Sequence, residues 1–508
     1  MSNAQDVANR GPITVSIMLA TIMNSLDTTI ANVALPHIQG SVSASQDQIT
    51  WVLTSYIISA AIMTPLSGWL SGRIGRKRLF LISIAGFTVA SMLCGIANSL
   101  VEIVVYRLLQ GLFGASLIPL SQVLLLDINP PEKHGQAMAI WGAGAILGPI
   151  LGPALGGYLT DNFDWRWVFY INLPIGILAF LGVWFFISHD GEPMAKKFDF
   201  LGFGTLTVFI GSIQLLLDRG PTLDWFDATE IQIYAIIAAS SLWAFITHTL
   251  TAKHPFFDPK LMTDTNFMTA CLLGFFVGIL LFATMALLPP MMQVLMGYPV
   301  LTSGLVSMPR GLGSFCAMFV VGQLIGRVDT RLILLTGLSL SAIALWQMTQ
   351  FDLSMNSTPF IVSGIIQGFG IGLIFVPLST LAFATVPPHL RAEGSSVYTL
   401  IRNLGAAVGI SIMQALIVSN TQAMHESLAA DIIPSDPVVH ATLGSQFDLS
   451  SIIGLATING EITRQSTMVA YVDDFRLMLV VTIICAPMLL LMRKPKKTTT
   501  GAPHVEID

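Results

Sequence analysis

Fourteen apolar runs, each long enough to cross a bilayer, recur along this 508-residue chain and constrain its fold more than any other feature. A helix needs about 20 apolar residues to span hydrocarbon. Inside lipid it must also satisfy its backbone hydrogen bonds within its own segment. The runs lie at roughly 13–35, 51–71, 79–98, 101–126, 137–159, 167–188, 199–217, 230–250, 267–294, 301–326, 332–351, 359–383, 394–419 and 472–492. The expected fold is an all-α integral membrane protein with 14 transmembrane helices. Composition agrees, since 53% of residues are hydrophobic and only 10% are charged, against about 25% charged in soluble domains. A net charge of −5 spread over such a chain excludes a disordered protein and a basic nucleic-acid binder. Cys94, Cys271, Cys316 and Cys485 lie inside apolar runs without CxxC spacing, so they read as small buried hydrophobes. The nine histidines show no metal spacing, and no metal site is expected. The first run is too long for a signal-peptide core and reads as a retained first helix.

An even number of crossings puts both termini on one side. The alternating segments divide the Lys and Arg residues very unequally, with seventeen on the side of the termini, four on the other side and three inside spans. By the positive-inside rule both termini are expected in the cytoplasm. Most connections are short. The exception is the polar stretch 420–471, which is expected to be a flexible extracytoplasmic loop.

The two ends of the chain echo each other at an offset near 254–257. Gly68-Trp-Leu-Ser-Gly72-Arg73 matches Gly322-Gln-Leu-Ile-Gly326-Arg327, and Gln110-Gly111 matches Gln367-Gly368. Pro130-Pro131 matches Pro387-Pro388, and Leu147-Gly148 matches Leu404-Gly405. Four short motifs in register predict a six-helix bundle (1–190), a two-helix insertion (191–260), a second six-helix bundle (261–492) and a cytoplasmic tail (493–508). Repeated halves are the usual build of secondary transporters, with the substrate site between them.

The motifs resemble one family. Leu26-Asp-Thr-Thr-Ile-Ala-Asn-Val-Ala-Leu-Pro36 is similar to the first-helix motif of fourteen-helix drug:proton antiporters of the major facilitator superfamily. Gly68 to Arg78 (GWLSGRIGRKR) resembles the superfamily's loop 2–3 motif, Arg107 to Gly111 (RLLQG) its fourth-helix motif, and Gly144 to Gly157 the fifth-helix antiporter motif. Trp165 to Gly176 (WRWVFYINLPIG) resembles the start of the sixth helix. The likeness covers nearly the whole chain and is strongest to the EmrB/QacA group. It implies the major facilitator fold, with two pseudo-symmetric bundles in a 6 + 2 + 6 arrangement. It also implies export of toxic lipophilic compounds against proton entry at the bacterial inner membrane. An EmrA-like periplasmic adaptor and a TolC-like outer-membrane channel would be partners, and 420–471 a candidate contact. The chain departs from the family at Gly72, where relatives carry an acid that helps lock the cytoplasmic side. The second half does hold an acid in its equivalent loop, Asp329.

Asp27 is the only acid deep in an apolar run, and an intramembrane carboxylate is a functional candidate. Asn24, Asp27, Thr28 and Asn32 share one helical face, which is expected to line a polar cavity. Arg107 lies at similar depth with Gln110 on its own face. In the family, helices 1 and 4 are neighbours, so the resemblance implies an Asp27–Arg107 contact that couples protons or fixes packing. Arg310, Gln367, Arg402 and Asn403 are candidate cavity residues of the second half. Arg310 and Arg402 have no acid in their own spans. They either meet anionic substrate groups or bond backbone carbonyls, and Arg402 can also snorkel.

Gating candidates are Gly68, Arg73, Gly75 and Arg76, with Asp127 as a partner for Arg73 or Arg76, and Asp329. Gly144, Gly148, Gly152 and Gly156 recur every four residues, as do Pro149 and Pro153. Such a stripe allows close helix packing and bending and is expected to meet the other half. Helices 7 and 8 are expected outside the core. The chain has no Gly-Lys pair, hence no GxxxxGK[ST] phosphate loop. Energy is expected from a proton gradient, with no cofactor and no enzymatic chemistry. A single-metabolite exporter and a transporter-like sensor are the competing readings.

Overall fold

The structure is a computed structural model, and it describes residues 10–187, 197–325, 327–430, 432 and 451–491. Lys196, Gly326 and the tail 493–508 lie outside these residues. The long helices are numbered here in chain order. The first six are α1 (Arg10–Ser41), α2 (Trp51–Ile74), α3 (Arg76–Ile96), α4 (Leu100–Ile128), α5 (His134–Asn162) and α6 (Trp167–Phe186). Two more follow, α7 (Phe200–Arg219) and α8 (Thr229–Thr251). The last six are α9 (Thr265–Leu295), α10 (Val300–Leu324), α11 (Thr330–Met348), α12 (Thr358–Ala384), α13 (Arg391–Ala430) and α14 (Ile452–Cys485).

Thirteen helices among the described residues are long and apolar enough to cross a membrane. The remaining one, α14, has the length but carries Asp473, Asp474 and Arg476 within its apolar part. Asp199 caps α7, Asp264 caps α9 and Asp329 caps α11, each accepting a backbone N–H of the first turn. These caps satisfy orphan donors and set negative charge against the helix dipole.

Helix α1 packs on α4, α5 and α6, and α2 packs on α4. The second bundle repeats this pattern, with α9 on α12 and α13, and α10 on α12. Four helix pairs join the bundles: α5 with α10, α5 with α12, α2 with α13 and α4 with α13. Helices α7 and α8 pack on each other, and α7 leans on both α2 and α13. Thr54 of α2 donates to Asp218 at 2.5 Å, while Ser411 of α13 donates to the neighbouring Leu217 carbonyl.

Three expectations are corrected. The stretch 420–471 is not one loop, because α13 continues to Ala430 and α14 begins at Ile452. Ile458 and Ile462 pack there against Leu428, Ala429 and Ile432. Those apolar positions recur at helical spacing inside a polar stretch, so they close a hairpin. Residues 431 and 433–450 lie outside the described residues. At 1.5 Å per residue the 40 residues of α13 run about 60 Å, twice the ~30 Å hydrocarbon core.

The second correction concerns the glycine stripe of α5, which does not face the other bundle. A Cβ at Gly148 would lie 2.4 Å from the Ser25 backbone carbon, one at Gly152 2.1 Å from Thr29 Oγ1, and ones at Gly144 and Gly156 against Met18 and Ile30. All four neighbours belong to α1. The opposite face of α5 meets the second bundle, where Ile150 fills the space over Gly311 and Ile325 that over Gly135. Pro149 and Pro153 sit inside the continuous α5. The third is minor: Cys94, Cys271 and Cys485 are buried, but Cys316 is exposed on α10.

Candidate functional site

Asp27 sits mid-way along α1, fourteen residues before its end at Ser41. Its side chain is fully buried and Arg107 is 1% exposed. One carboxylate oxygen accepts from Arg107 Nη1 at 2.7 Å. The other accepts from Gln110 Nε2 at 2.8 Å and Asn172 Nδ2 at 2.9 Å. Arg107 Nη1 also donates to Gln110 Oε1 at 2.7 Å, and its Nε donates to the Val52 carbonyl at 3.1 Å. The guanidinium lies over the Tyr56 ring, 4.7 Å from its centroid, with Phe169 on another side at 5.5 Å. Asn172 donates to Ser91 as well, and Asn24 donates to the Tyr56 hydroxyl at 3.1 Å. A single carboxylate thus ties α1 to α4 and α6, with α2 and α3 in the surrounding network. A buried ion pair of this kind is tolerated only with further hydrogen bonds, and here both carboxylate oxygens and the guanidinium Nε and Nη1 have them.

The polar face of α1 divides. Asn24 and Asp27 turn into the bundle, whereas Thr28 and Asn32 are exposed and bond only their own helix. The division follows from 100° per residue, which puts 24, 27 and 31 on one stripe and 28 and 32 beside it.

Among the described residues the second bundle carries no such pair. The register that aligns Gln110 with Gln367 aligns Asp27 with Thr284 and Arg107 with Gly364. Gln367 donates to Thr284 at 3.2 Å, a neutral echo of Gln110 and Asp27. The register that aligns Gly68 with Gly322 puts Arg310 in the place of Tyr56; Arg310 packs beside Gly364 and donates to the Leu281 carbonyl at 3.1 Å. Arg402 is buried, with its guanidinium over Phe375 at 5.4 Å, and Asn403 is exposed.

One end of the molecule carries the basic turn 73–78. Arg76 pairs with Asp127 there, and Arg73 is exposed. Gly75 stands between α2 and α3 with φ 93°, a left-handed conformation that favours glycine. Gly68 lies so close to α13 that a Cβ would come within 2.8 Å of Glu393 Cα. The bundles are latched at this end by Ser67 with Ser396 at 2.8 Å and by Ser395 donating to Gln122 at 2.8 Å. Trp141 stacks on Phe375 with ring centroids 5.6 Å apart. Close backbone approach therefore joins the halves although Gly72 replaces the family's acid. Asp329 accepts from the Arg331 amide at 3.2 Å while capping α11.

Sequence reasoning missed three residues. Asn172 completes the Asp27 shell and stands within the sixth-helix motif, but sequence alone does not say which helix it faces. Tyr56 supplies the ring under Arg107. Asp474 is 1% exposed, and neither of its oxygens has a partner among the described residues. Asp27 is therefore not the only buried acid. Asp474 stands two residues inside the run 472–492 and becomes interior because α14 starts twenty residues earlier, at Ile452.

A polytopic helical protein of two joined six-helix bundles, with a charged cluster sealed in one of them, has the architecture of a secondary transporter. A model of the Major Facilitator Superfamily matches residues 17–410, and the chain belongs to that superfamily. It is 35% identical over 467 residues to the multidrug export protein EmrB of Haemophilus influenzae, covering 91% of this chain and 92% of that protein. It is 35% identical over 431 residues to the multidrug export protein EmrB of Escherichia coli strain K12, covering 84% of each. The crystal structure of the human organic anion transporter MFSD10 (TETRAN) matches 93% of this chain and 99% of that one, with a TM-score of 0.60 at 14% identity. That last likeness is one of fold alone.

Proposed function

We propose that this protein exports lipophilic toxic compounds from the cytoplasm by alternating access, driven by proton entry. The sealed cluster of Asp27, Arg107, Gln110 and Asn172 carries this reading. A carboxylate at this depth is costly to keep and marks a proton or ligand pathway. The identity to multidrug export proteins along most of the chain supports the substrate class.

Asp27 takes a proton from the outside as the substrate leaves. Its bond to Arg107 then weakens, because a neutral carboxyl holds a guanidinium less strongly. Arg107 can turn from Asp27 toward the Gln110 amide oxygen it already meets, which loosens α1 against α4. Because α1 also lies on the glycine stripe of α5, and α5 lies on α10, a shift of α1 reaches the seam between the bundles. Opening to the cytoplasm releases the proton and admits substrate. One proton crossing 100 mV supplies about 2.3 kcal/mol. A tenfold gradient costs about 1.4 kcal/mol. One proton therefore supports roughly 50-fold concentration of a neutral compound.

The protein lies in the bacterial inner membrane with both termini cytoplasmic, as the skew of Lys and Arg supports. In that orientation the latch at the basic end closes the cytoplasmic side, and Thr28 and Asn32 face a cavity open to the outside. The gate comprises Gly68, Arg73, Gly75, Arg76, Asp127 and Asp329 with the α5 residues Gly144, Gly148, Pro149, Gly152, Pro153 and Gly156. Arg310, Gln367, Arg402 and Asn403 line the substrate route from the second bundle. The chain divides at 1–190, 191–260 and 261–492. The helical hairpin of α13 and α14 extends past the bilayer and is the surface on which a periplasmic adaptor, leading to an outer-membrane channel, would dock. The proton gradient stands in place of any cofactor.

Everted vesicles with an acidic interior test the reading. Addition of a lipophilic drug should dissipate the pH gradient with wild-type protein and not with Asp27→Asn. A drug response retained by Asp27→Asn would remove Asp27 from the coupling step.

A further inference from the structure

Three buried hydrogen-bond donors at the seam between the bundles have nothing to donate to. They are Gln122 Nε2 on α4, and Thr399 Oγ1 and Arg402 Nε on α13. Their residues are 0%, 2% and 8% exposed. Ser395, Thr399 and Arg402 recur at i, i+4 and i+7, so they form one stripe of α13. Ser395 touches Gln122 at 2.8 Å and brings the α4 amide beside this stripe. The α4 residue next to Gln122 is Ser121, which accepts from Trp141 Nε1 at 2.7 Å. Trp141 stacks on Phe375, and Phe375 lies under the Arg402 guanidinium. The donors and the two rings therefore follow one another along the seam, from both halves, beginning at the latch.

Every unmatched group in this place donates and one is cationic. The nearest thing to a partner for Arg402 is Asn403, at 3.5 Å, and no carboxylate pairs with it among the described residues. A buried guanidinium without a counter-charge is unfavourable, and buried donors without acceptors are costly. An anion at this seam would supply the counter-charge that Arg402 lacks and an acceptor for the donors beside it. The stacked rings make the surroundings of the guanidinium apolar, and a low dielectric strengthens its attraction for an anion. Asp27 and Arg107, by contrast, neutralise each other in the first bundle.

We propose that Arg402 and Thr399, with Gln122 across the seam, bind the anionic group of a lipophilic substrate. This rests on the export reading and names the substrate class: organic anions, and weak acids in their ionised form. The site spans the seam, so its ligand is held by both halves when the latch is closed and by one half when it opens. Binding and release are thereby tied to the conformational change.

The test is direct binding to full-length protein in phosphatidylcholine nanodiscs, with three probes that share a ring. These are 1-naphthaleneacetate, 1-naphthaleneacetamide and 1-naphthylmethylammonium. Wild type should bind the acetate at least tenfold more tightly than the amide, and the ammonium most weakly. Arg402→Gln should abolish the difference by weakening acetate binding at least tenfold. Arg402→Lys should keep part of it, and Thr399→Val should weaken acetate binding alone. The last two variants carry the test if Arg402→Gln does not fold. Equal affinity of wild type for all three probes would overturn the proposal, as would a preference that survives Arg402→Gln. Acetate binding lost when phosphatidylglycerol replaces part of the phosphatidylcholine would overturn the substrate assignment, because a lipid headgroup would then hold the site. Binding is read without flux, so loss of anion preference leaves proton-coupled export standing, and a failed vesicle assay leaves the binding result intact.

Discussion

Replacing Asp27 by Asn keeps the side-chain volume and removes the charge, so it isolates the ion pair. The wild-type carboxylate accepts three hydrogen bonds, and all three partners are donors. An Asn amide offers one acceptor oxygen and turns an NH2 group against the donors on its other side. Arg107, 1% exposed, is left without a counter-charge. Breaking a buried pair from one side costs about 3–5 kcal/mol, which is roughly two to four powers of ten in the folded-to-unfolded ratio. Little screening is available at this burial, so the figure needs no discount for solvent. The expected result is a clear fall in the apparent melting midpoint of the detergent-purified variant, together with loss of drug-dependent proton release. Arg107→Gln in the same background removes the stranded cation. The double variant should melt above Asp27→Asn alone, with a coupling of about 1–3 kcal/mol, while export stays absent. Thermal midpoints measured side by side at one scan rate decide the stability part. An Asp27→Asn midpoint equal to wild type, or single-variant costs that simply add, would refute the claim that this pair holds the bundle together.

Other expectations follow from the same geometry. Asn172→Ala should cost about 1–3 kcal/mol by leaving Asp27 and Ser91 short of a donor, seen as a lower midpoint and slower export with the protein still inserted. Gly148→Val should prevent tight seating of α1, because even a Cβ there meets α1 backbone; overpacking costs about 1–3 kcal/mol or more, and folded yield on size exclusion reports it. Gly152→Ala, whose neighbour is a side-chain oxygen rather than backbone, should be milder by the same measure. Arg76→Gln should loosen the closed basic end, so a cysteine introduced at Ser395 should react faster with a membrane-impermeant maleimide in everted vesicles than in the parent.

The linear chain by itself determined the environment and the plan. Run length against bilayer thickness gives the crossings, and the offset of Gln110 and Gln367 gives two related halves. The cost of an acid in lipid singles out Asp27, and the cost of a base singles out Arg107. Each of these is a local property, fixed by hydrophobicity and solvation along one segment. The identity of neighbours is another matter, because a helix presents several faces and its sequence does not say which face meets which helix. The α5 glycines therefore read as a contact between halves, while only the packed fold decides that they seat α1. Asn172 reaches Asp27, and Arg310 takes the place of Tyr56, only through the relative rotation of helices distant in sequence. Asp474 lies buried because α14 begins at Ile452, and 420–471 holds two helix ends rather than one loop because Ile458 and Ile462 pack on Leu428, Ala429 and Ile432. The unmatched donors of Gln122, Thr399 and Arg402 were the least legible of all, since an unsatisfied hydrogen bond is defined by what surrounds it.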